Sequence, residues 1–357
     1  MLAVATWDRL SSRSNEMTQC TTFDAVAAQP RGAPRRSVHR GLLHVLSVVI
    51  AVCIAVSLAE GLIRLKNRFM LSYDMEMWRY SKELKTASAN PILGHEHLTN
   101  RSAVLQSVEI RLNEWGMRGG PVPPPTPGKR RILLLGSSIT LGWGVPEEET
   151  MAVRLQQMFE RDGQAVEVLN AGIGNYNAVR YVELFLTRLH NLEPTDIVVN
   201  YFINDAEVLK PAGGNILLRH SQLAAILWTL GKQQSVGTGE AGLEEHYQRV
   251  YAPDAPGFFD MKKALRRLSE YAQEHDIRLY LATVPDVHNL RDYPFHYIHE
   301  LLEEISAELG YVYVDLYPGF EGLPPARIWS MPGDPHPNGY GHRIMAQTLY
   351  QALAGRL

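Results

Sequence analysis

Short apolar runs alternate with amphipathic stretches along the last two thirds of the 357-residue chain. The runs are rich in branched residues and lack a polar face, which is typical of strands buried on both sides in a parallel sheet. They lie at residues 132–135, 166–170, 196–202, 277–284 and 311–316. Helical spacing predicts helices at residues 148–161, 178–190, 258–275, 297–309 and 338–353. This alternation predicts an α/β fold with a parallel sheet covered on both faces.

Two segments depart from this alternation. Residues 67–129 form a mixed lead-in with an edge strand predicted at 108–112, and the prolines at 121–128 predict a stiff, extended linker. The segment after the third strand is irregular, with one apolar helix predicted at 221–230. A Gly/Ser/Gln-rich stretch follows at 231–242, which we interpret as a mobile insertion near the active face.

The N-terminal part of the chain has a different character. Residues 1–40 lack an apolar period and are predicted to be a disordered basic tail, in which Met17 is an alternative start. Residues 41–59 are almost wholly apolar and long enough to cross a bilayer, so we predict a transmembrane signal anchor over 41–65. A cleaved signal peptide is the alternative, because residues 57–59 resemble a cleavage site.

The predicted organisation therefore has four parts. They are the tail (1–40), the anchor (41–65), the lead-in with its Pro-rich linker (66–129) and the α/β domain (130–357). Basic residues flank the anchor on both sides, so the charge bias across it is thin. A short basic tail before a large domain favours a single-pass membrane protein with its domain outside the cytoplasm, periplasmic or extracellular.

Composition narrows the chemistry. A formal net charge of −3 argues against nucleic acid as the main partner. Cys20 and Cys53 lie outside the α/β domain, which therefore offers no disulfide and no cysteine-based zinc site. His95 and His97 could pair on a metal, but no third ligand is in view, and exposed loop histidines are the preferred interpretation. The sequence predicts no cofactor and no metal.

The stretch at 130–145 organises the domain. Two arginines lead the first buried strand, which stops at Gly136-Ser137-Ser138 before a Gly-rich loop. A strand that ends in such a turn places its last side chains at the carboxyl edge of a parallel sheet, where open α/β folds bind ligands. Ser138 would lie in the turn with its hydroxyl outward and its N–H available to an anion. Alternatively, the serines only cap the next helix.

Three further polar blocks follow at strand ends or in the last loop. They are Gly172-Ile173-Gly174-Asn175, Asn204-Asp205 and Asp334-Pro335-His336-Pro337-Asn338. With the serine block, in this order on an alternating α/β chain, they resemble the SGNH/GDSL hydrolase family over residues 108–355, including the lead-in at 113–119. The resemblance implies the SGNH hydrolase fold, a three-layer α/β/α arrangement around a flavodoxin-like five-stranded parallel sheet, and a carboxylic ester hydrolase.

The resemblance implies that Ser138 is the nucleophile, His336 the general base and Asp334 the partner that orients it. A serine hydroxyl is a weak nucleophile until a neutral imidazole takes its proton, and a carboxylate holds that imidazole in the useful tautomer. The sequence departs from the family pattern in three places, one of which is Asn175 in the second block. Ser137 replaces the Asp that usually precedes the nucleophile, and the acid and base are spaced Asp-x-His instead of Asp-x-x-His.

The resemblance also implies an oxyanion hole. Its donors would be the N–H of Ser138, the side-chain amide of Asn204 and an N–H of the second block. That last donor is Gly174 or Asn175, because aligning the second block puts Asn175 at the usual glycine. A backbone N–H can serve from either residue, and Asn tolerates a left-handed conformation better than most.

The expected substrate is an acyl ester that the enzyme cleaves or transfers. By resemblance, anchored members facing the periplasm often act on O-acetyl groups of cell-surface carbohydrate, so acetylated polysaccharide is the candidate partner beside the membrane. A lipid esterase or thioesterase is the alternative enzyme, and a non-catalytic carbohydrate-binding module of a polysaccharide assembly complex the alternative from another class. Trp143, Tyr176 and Phe202 are bulky residues after the strands, expected to narrow the acyl pocket and favour acetyl groups.

Overall fold

A computed structural model of the chain describes residues 36–70, 72–208, 216–233, 240–331 and 334–355. The chain divides into two compact units, Met1–Val56 and Ser57–Leu357. The described part of the first unit belongs to helix α1 (Arg36–Phe69). Among the described residues, one helix, Arg40–Phe69, is long and apolar enough to cross a membrane, and its apolar part is not buried in the protein. The disordered tail predicted at 1–40 lies mostly outside the described residues.

The lead-in contains more regular structure than its sequence pattern predicts. It forms helix α2 (Tyr73–Glu83), the antiparallel pair β1 (Lys85–Ala87) and β2 (His95–His97), and the antiparallel pair β3 (Arg101–Leu105) and β4 (Val108–Leu112). The predicted edge strand at 108–112 is β4. A second hydrophobic core joins this lead-in to the loop after the first sheet strand; its buried members are Tyr80, Leu84, Leu105, Ile110, Leu112, Leu141 and Trp143.

The predicted five-stranded parallel sheet is confirmed. Its strands are β5 (Arg130–Gly136), β6 (Val166–Gly172), β7 (Asp196–Tyr201), β8 (Arg278–Thr283) and β9 (Val312–Asp315). They lie in the order β6-β5-β7-β8-β9 and each pairing is parallel, which is the flavodoxin-like order. Gly136 pairs with Gly172 on one side and with Asn200 on the other, so these three strands end at the same level.

Helices flank the sheet, and a small hairpin precedes the last of them. The helices are α3 (Ser138–Leu141), α4 (Met151–Arg161), α5 (Ala178–Thr187), α6 (Ile216–His220), α7 (Gln222–Gln233), α8 (Glu240–Val250), α9 (Pro256–Glu274), α10 (His296–Leu309), α11 (Pro325–Ile328) and α12 (Gly339–Ala354). The hairpin pairs β10 (Trp329–Met331) with β11 (Asp334–Pro337). The apolar helix predicted at 221–230 is α7, and the interpretation of 231–242 as a mobile insertion lies partly outside the described residues. The sequence pattern missed α8.

Buried ion pairs fix the start of the central strand. Arg130 donates through Nε and Nη2 to both carboxylate oxygens of Asp196, at 2.8 and 2.7 Å. Arg131 Nε donates to Glu167 at 2.5 Å. Because Asp196 begins β7 and Glu167 lies in β6, the two arginines tie β5 to both neighbours, which helps to set the register that aligns their carboxyl ends.

The C-terminal part of α1 holds the start of α7. The carboxylate of Glu60 accepts hydrogen bonds from Ser221 Oγ and from the backbone N–H groups of Gln222 and Leu223, at 2.9, 3.0 and 2.9 Å. A carboxylate at a helix N-terminus satisfies N–H groups that have no partner inside the helix. The two helices are therefore joined by specific polar contacts.

Candidate functional site

The chain turns sharply from β5 into α3 at the serine pair. A Cβ at Gly136 would lie 2.1 Å from Thr140 Oγ1 on α3, so this turn requires glycine. Ser137 is buried and makes no side-chain capping bond, so it is not a side-chain cap of α3. Ser138 is partly exposed and begins α3, where a backbone N–H has no intrahelical acceptor.

The final hairpin brings His336 to Ser138. Nε2 of His336, on β11, lies 2.8 Å from Ser138 Oγ although the two residues are 198 positions apart. At this distance an imidazole can take the hydroxyl proton. The ring of Tyr73, the first residue of α2, stacks on the His336 ring with centroids 5.8 Å apart. The lead-in thus contributes an aromatic contact to the predicted general base.

The predicted acid, Asp334, begins β11, where its backbone pairs with Met331. Its side chain lies outside the described part of the structure. The predicted contact between Asp334 and His336 therefore stays a prediction.

Asn204 lies in a short 3-10 turn, Ile203–Ala206, directly after β7. Because β7 is the neighbour of β5, Asn204 and Ser138 follow the carboxyl ends of adjacent strands, at the point where the strand order reverses. Open α/β sheets bind ligands at this point. Asn204 is partly exposed, and its Oδ1 is buried with no hydrogen-bond donor among the described residues.

The next residue, Asp205, stabilises the turn from within. Its Oδ2 accepts hydrogen bonds from the Phe202 N–H at 3.0 Å and from Tyr181 Oη at 3.2 Å. The side chain is fully buried, and Oδ1 has no partner among the described residues. Burial raises the pKa of the Asp205 carboxyl to about 8. The turn that carries Asn204 is therefore anchored by a carboxyl group that stays largely protonated at neutral pH.

In the second block the two candidate donors differ in their surroundings. The N–H of Gly174 donates to Tyr80 Oη at 2.9 Å, and its C=O accepts from Lys85 Nζ at 2.6 Å and lies 3.2 Å from His95 Nε2. Asn175 is exposed and adopts a left-handed backbone with φ 62°. Its N–H has no acceptor in the described part of the chain. The Gly174 N–H is engaged by the lead-in, and the Asn175 N–H is available.

The interpretation of His95 and His97 as exposed loop histidines is wrong. Both are buried on β2, and burial lowers the pKa of each to about 3, so both rings are neutral at neutral pH. His97 Nδ1 lies 2.7 Å from the Gly116 carbonyl and its Nε2 lies 2.6 Å from Tyr80 Oη. The histidines thus bond to groups of the protein, including the peptide carbonyl of Gly174.

The prediction that Trp143 and Tyr176 narrow the acyl pocket is also wrong. Trp143 is 1% exposed in the second core, and Tyr176 is 2% exposed in the main core. Tyr176 Oη donates to the His95 carbonyl at 2.6 Å. Phe202 is partly buried against the main core. A bulky residue after a strand can line a pocket or fill a core, and these two complete the packing beneath the site.

Comparison with known families agrees with this geometry. Residues 134–344, more than half of the chain, match the model of the GDSL-like lipase/acylhydrolase family. The chain belongs to this family. It is therefore a carboxylic ester hydrolase of the GDSL type. Among curated protein sequences, none matches this chain.

Solved structures with a similar arrangement include two esterases. The psychrotrophic esterase EstA from Pseudoalteromonas sp. is 15% identical, with 64% of this chain and 98% of that chain covered and a TM-score of 0.41. A catalytic mutant of an acetylxylan esterase from Geobacillus stearothermophilus is 16% identical, with 62% of this chain and 93% of that chain covered and a TM-score of 0.42.

The sequence analysis missed one residue that supports the loop after Ser138, the predicted nucleophile of this GDSL-type hydrolase. The guanidinium of Arg118 is buried and donates to the carbonyls of Leu141 and Gly142 at 2.9 and 2.6 Å, and to that of Val145 at 2.7 Å. These carbonyls belong to the loop that follows Ser138 through α3. The only signal is an arginine inside the Gly-rich lead-in at 113–119, which is included in the family resemblance.

Proposed function

We propose that this GDSL-type hydrolase acts by a Ser-His-Asp mechanism through Ser138, His336 and Asp334. The distance of 2.8 Å between Ser138 Oγ and His336 Nε2 carries the proposal. His336 takes the hydroxyl proton as Ser138 Oγ attacks the acyl carbon, and returns it to the alcohol as the ester C–O bond breaks. Water, or an acceptor alcohol in a transferase, then releases the acyl group from Ser138 with the same base.

The oxyanion of this reaction would be bound by three donors. They are the N–H of Ser138, the N–H of Asn175 and the side-chain amide of Asn204. Asn175 is preferred to Gly174 because the Gly174 N–H already donates to Tyr80 Oη. Loss of one such donor typically lowers kcat about a hundredfold or more.

The proposed substrate is an O-acetyl group on cell-envelope carbohydrate. The apolar helix Arg40–Phe69 supports a membrane anchor, and the hydrolase domain that follows it would lie outside the cytoplasm. An alkaline phosphatase fused after the last residue should then be active in whole cells. An inactive phosphatase fusion, together with activity of a cytoplasmic reporter fused at the same site, would assign the domain to the cytoplasm instead.

The catalytic test compares two neighbouring serines in the full-length protein in detergent. The wild type should hydrolyse 4-nitrophenyl acetate, Ser138→Ala should remove the activity, and Ser137→Ala should keep most of it because the buried Ser137 hydroxyl does not meet the substrate. Asn204→Ala should lower kcat about a hundredfold. A fluorophosphonate should label Ser138 alone.

Two results would contradict this mechanism. Equal inactivity of the wild type and Ser138→Ala on every ester, with binding to an acetylated polysaccharide, would favour a carbohydrate-binding module. Near wild-type kcat in Asp334→Asn would mean that Asp334 does not orient His336, since loss of the orienting carboxylate lowers kcat by orders of magnitude in other triads.

An apolar cavity favours a second candidate, a lipid esterase or thioesterase. The cavity has a volume of about 460 Å³ and lies between the end of α1, the start of α2 and α7, lined in part by Met75, Trp78, Ile226 and Trp228. Pockets of this size accept drug-sized apolar ligands. Higher kcat/KM for an octanoyl than for an acetyl ester would favour this candidate and would leave Ser138 as the nucleophile.

A further inference from the structure

We propose that Tyr80 and Lys85, supported by His95, are positioning residues: Tyr80 holds the peptide before Gly174, and Lys85 orients and polarises the peptide between Gly174 and Asn175 for oxyanion binding. The inference rests on the proposed function, because it concerns the N–H that Asn175 would give to the oxyanion. None of the three residues lies within the stretch 134–344 that matches the family model. All come from the lead-in, on α2, β1 and β2.

The direction of the Asn175 N–H follows from peptide geometry. A trans peptide is planar, so the C=O of Gly174 and the N–H of Asn175 point in opposite directions. Lys85 Nζ, at 2.6 Å, and His95 Nε2, at 3.2 Å, hold that C=O toward the lead-in. The N–H on the same peptide therefore points away from the lead-in. The left-handed backbone of Asn175 completes the turn.

The preceding peptide is held by a chain of hydrogen bonds with one consistent direction. The Gly116 carbonyl can only accept, so His97 Nδ1 carries the proton in that 2.7 Å bond. The neutral His97 ring then accepts at Nε2 from Tyr80 O–H, at 2.6 Å. Tyr80 Oη in turn accepts the Gly174 N–H at 2.9 Å. The peptide groups before and after Gly174 are thus both held by hydrogen bonds, so neither peptide plane can rotate freely.

The hydrogen bonds that the Gly174 C=O accepts should also make the Asn175 N–H a stronger donor. Hydrogen bonds to a carbonyl polarise its amide, and such cooperativity is estimated at about 10–30% per bond. Lys85 Nζ donates in either protonation state, since an amine keeps two hydrogens. The site is also close-packed around this peptide, because a Cβ on Gly174 would lie 2.6 Å from Tyr80 Cε1.

A purely structural role does not explain Lys85, because its burial destabilises the fold. It is 8% exposed, and burial lowers the pKa of its amine well below the ordinary value. Its Nζ lies 4.2 Å from the centre of the Tyr80 ring, and no carboxylate pairs with it in the described part of the chain. A buried amine without a counterion destabilises a fold, whereas a methionine of similar length would pack without that penalty.

Lys85→Met separates function from stability, because it should lower kcat without lowering the melting temperature. We expect kcat on 4-nitrophenyl acetate to fall about tenfold, less than the hundredfold loss of a complete oxyanion donor. KM should stay within about twofold, since the contact acts on the developing oxyanion. Tyr80→Phe should behave alike in kcat and provides a second variant if Lys85→Met does not fold.

Two control variants remove the same functional groups, an amine and a tyrosine hydroxyl, at positions that do not contact Gly174. Lys82→Met deletes an exposed amine on α2, and Tyr311→Phe deletes a buried hydroxyl that donates to the Leu265 carbonyl at 2.8 Å. Neither should change kcat. A trifluoromethyl ketone, which forms a hemiketal oxyanion on Ser138, should bind about tenfold more weakly to Lys85→Met and Tyr80→Phe than to the wild type and both controls.

Failure of this inference and failure of the proposed function give different results. An active wild type whose kcat and ketone affinity are unchanged in Lys85→Met and Tyr80→Phe would overturn the inference alone. The inference also fails if kcat in these two variants falls only in step with the melting temperature. A wild type that neither hydrolyses esters nor takes a fluorophosphonate on Ser138 would overturn the proposed function and this inference with it.

Discussion

Replacing Asp205 by Asn should change how the stability of the protein depends on pH. Asp205 is fully buried beside Asn204, and its carboxyl receives two hydrogen bonds, from the Phe202 N–H and from Tyr181 Oη. These bonds favour the charged form, but burial outweighs them and raises the pKa to about 8, from an ordinary value of 3.8. The folded protein therefore holds a proton that the unfolded chain has lost above about pH 4.

The proton that Asp205 holds in the folded protein makes the free energy of unfolding fall as pH rises. Because the pKa of Asp205 is higher in the folded protein, its contribution to the free energy of unfolding is fully present below the pKa of the unfolded chain. This contribution is lost as pH rises toward 8. The loss is about 1.4 kcal/mol per pH unit, so Asp205 should lower the free energy of unfolding by up to ~4 kcal/mol between pH 5 and pH 8. Asp205→Asn is neutral at every pH. The difference in free energy of unfolding between this variant and the wild type should therefore grow by up to ~4 kcal/mol from pH 5 to pH 8, in favour of the variant.

Urea unfolding followed by intrinsic fluorescence at pH 5, 6.5 and 8 measures this effect. His95 and His97 have lowered pKa values, so their contribution rises with pH below about 6.5, and only the difference between wild type and variant isolates Asp205. Asp254→Asn, at an exposed position, is the control and should give a constant difference. A difference between wild type and Asp205→Asn that does not grow with pH would refute the reasoning.

Three further substitutions test the second block and the ion pair at the start of the central strand. Asn175→Gly should keep kcat within about threefold, because φ 62° suits glycine and the proposed donor is the backbone N–H; a loss comparable to that of a complete donor would implicate the side chain. Arg130→Met should lower the free energy of unfolding by ~1–3 kcal/mol in a urea titration, because buried Asp196 then keeps only Arg278 and Thr195 as side-chain partners among the described residues. Gly174→Ala should lower both kcat and melting temperature, since its Cβ would meet the Tyr80 ring; an unchanged variant would mean that the ring moves freely.

The sheet could be predicted from the sequence because strands buried on both faces are recognisable as short, nearly continuous apolar runs. The run at 132–135 is wholly apolar, and the run at 277–284 is apolar apart from Arg278, Tyr280 and Thr283; parallel strands covered by helices favour such a composition. Parallel pairing then aligns the carboxyl ends, so four weak polar blocks could be assigned to one edge of the sheet. The contact between Ser138 and His336 was implied by the family resemblance alone, because the hairpin that delivers the histidine carries no pattern of its own.

The supporting contacts could not be predicted, because they join short elements that are distant in sequence. His95 and Gly174 are 79 positions apart, and β2 has only three residues, too few for a period of two to be recognised. Burial of its two histidines depends on partners that no local pattern reveals. The prediction for Trp143 failed for the same reason, since its packing partners come from the lead-in.

The lead-in therefore packs against the candidate functional site, although it directly follows the apolar N-terminal helix. Tyr73 stacks on the predicted base, Tyr80 accepts the Gly174 N–H of the second block, and Arg118 holds the loop after the predicted nucleophile. All three lie outside the family match at 134–344, which contains the reactive groups but not these contacts. The family domain supplies the chemistry common to GDSL-type hydrolases, and the lead-in fixes the loops on which it depends.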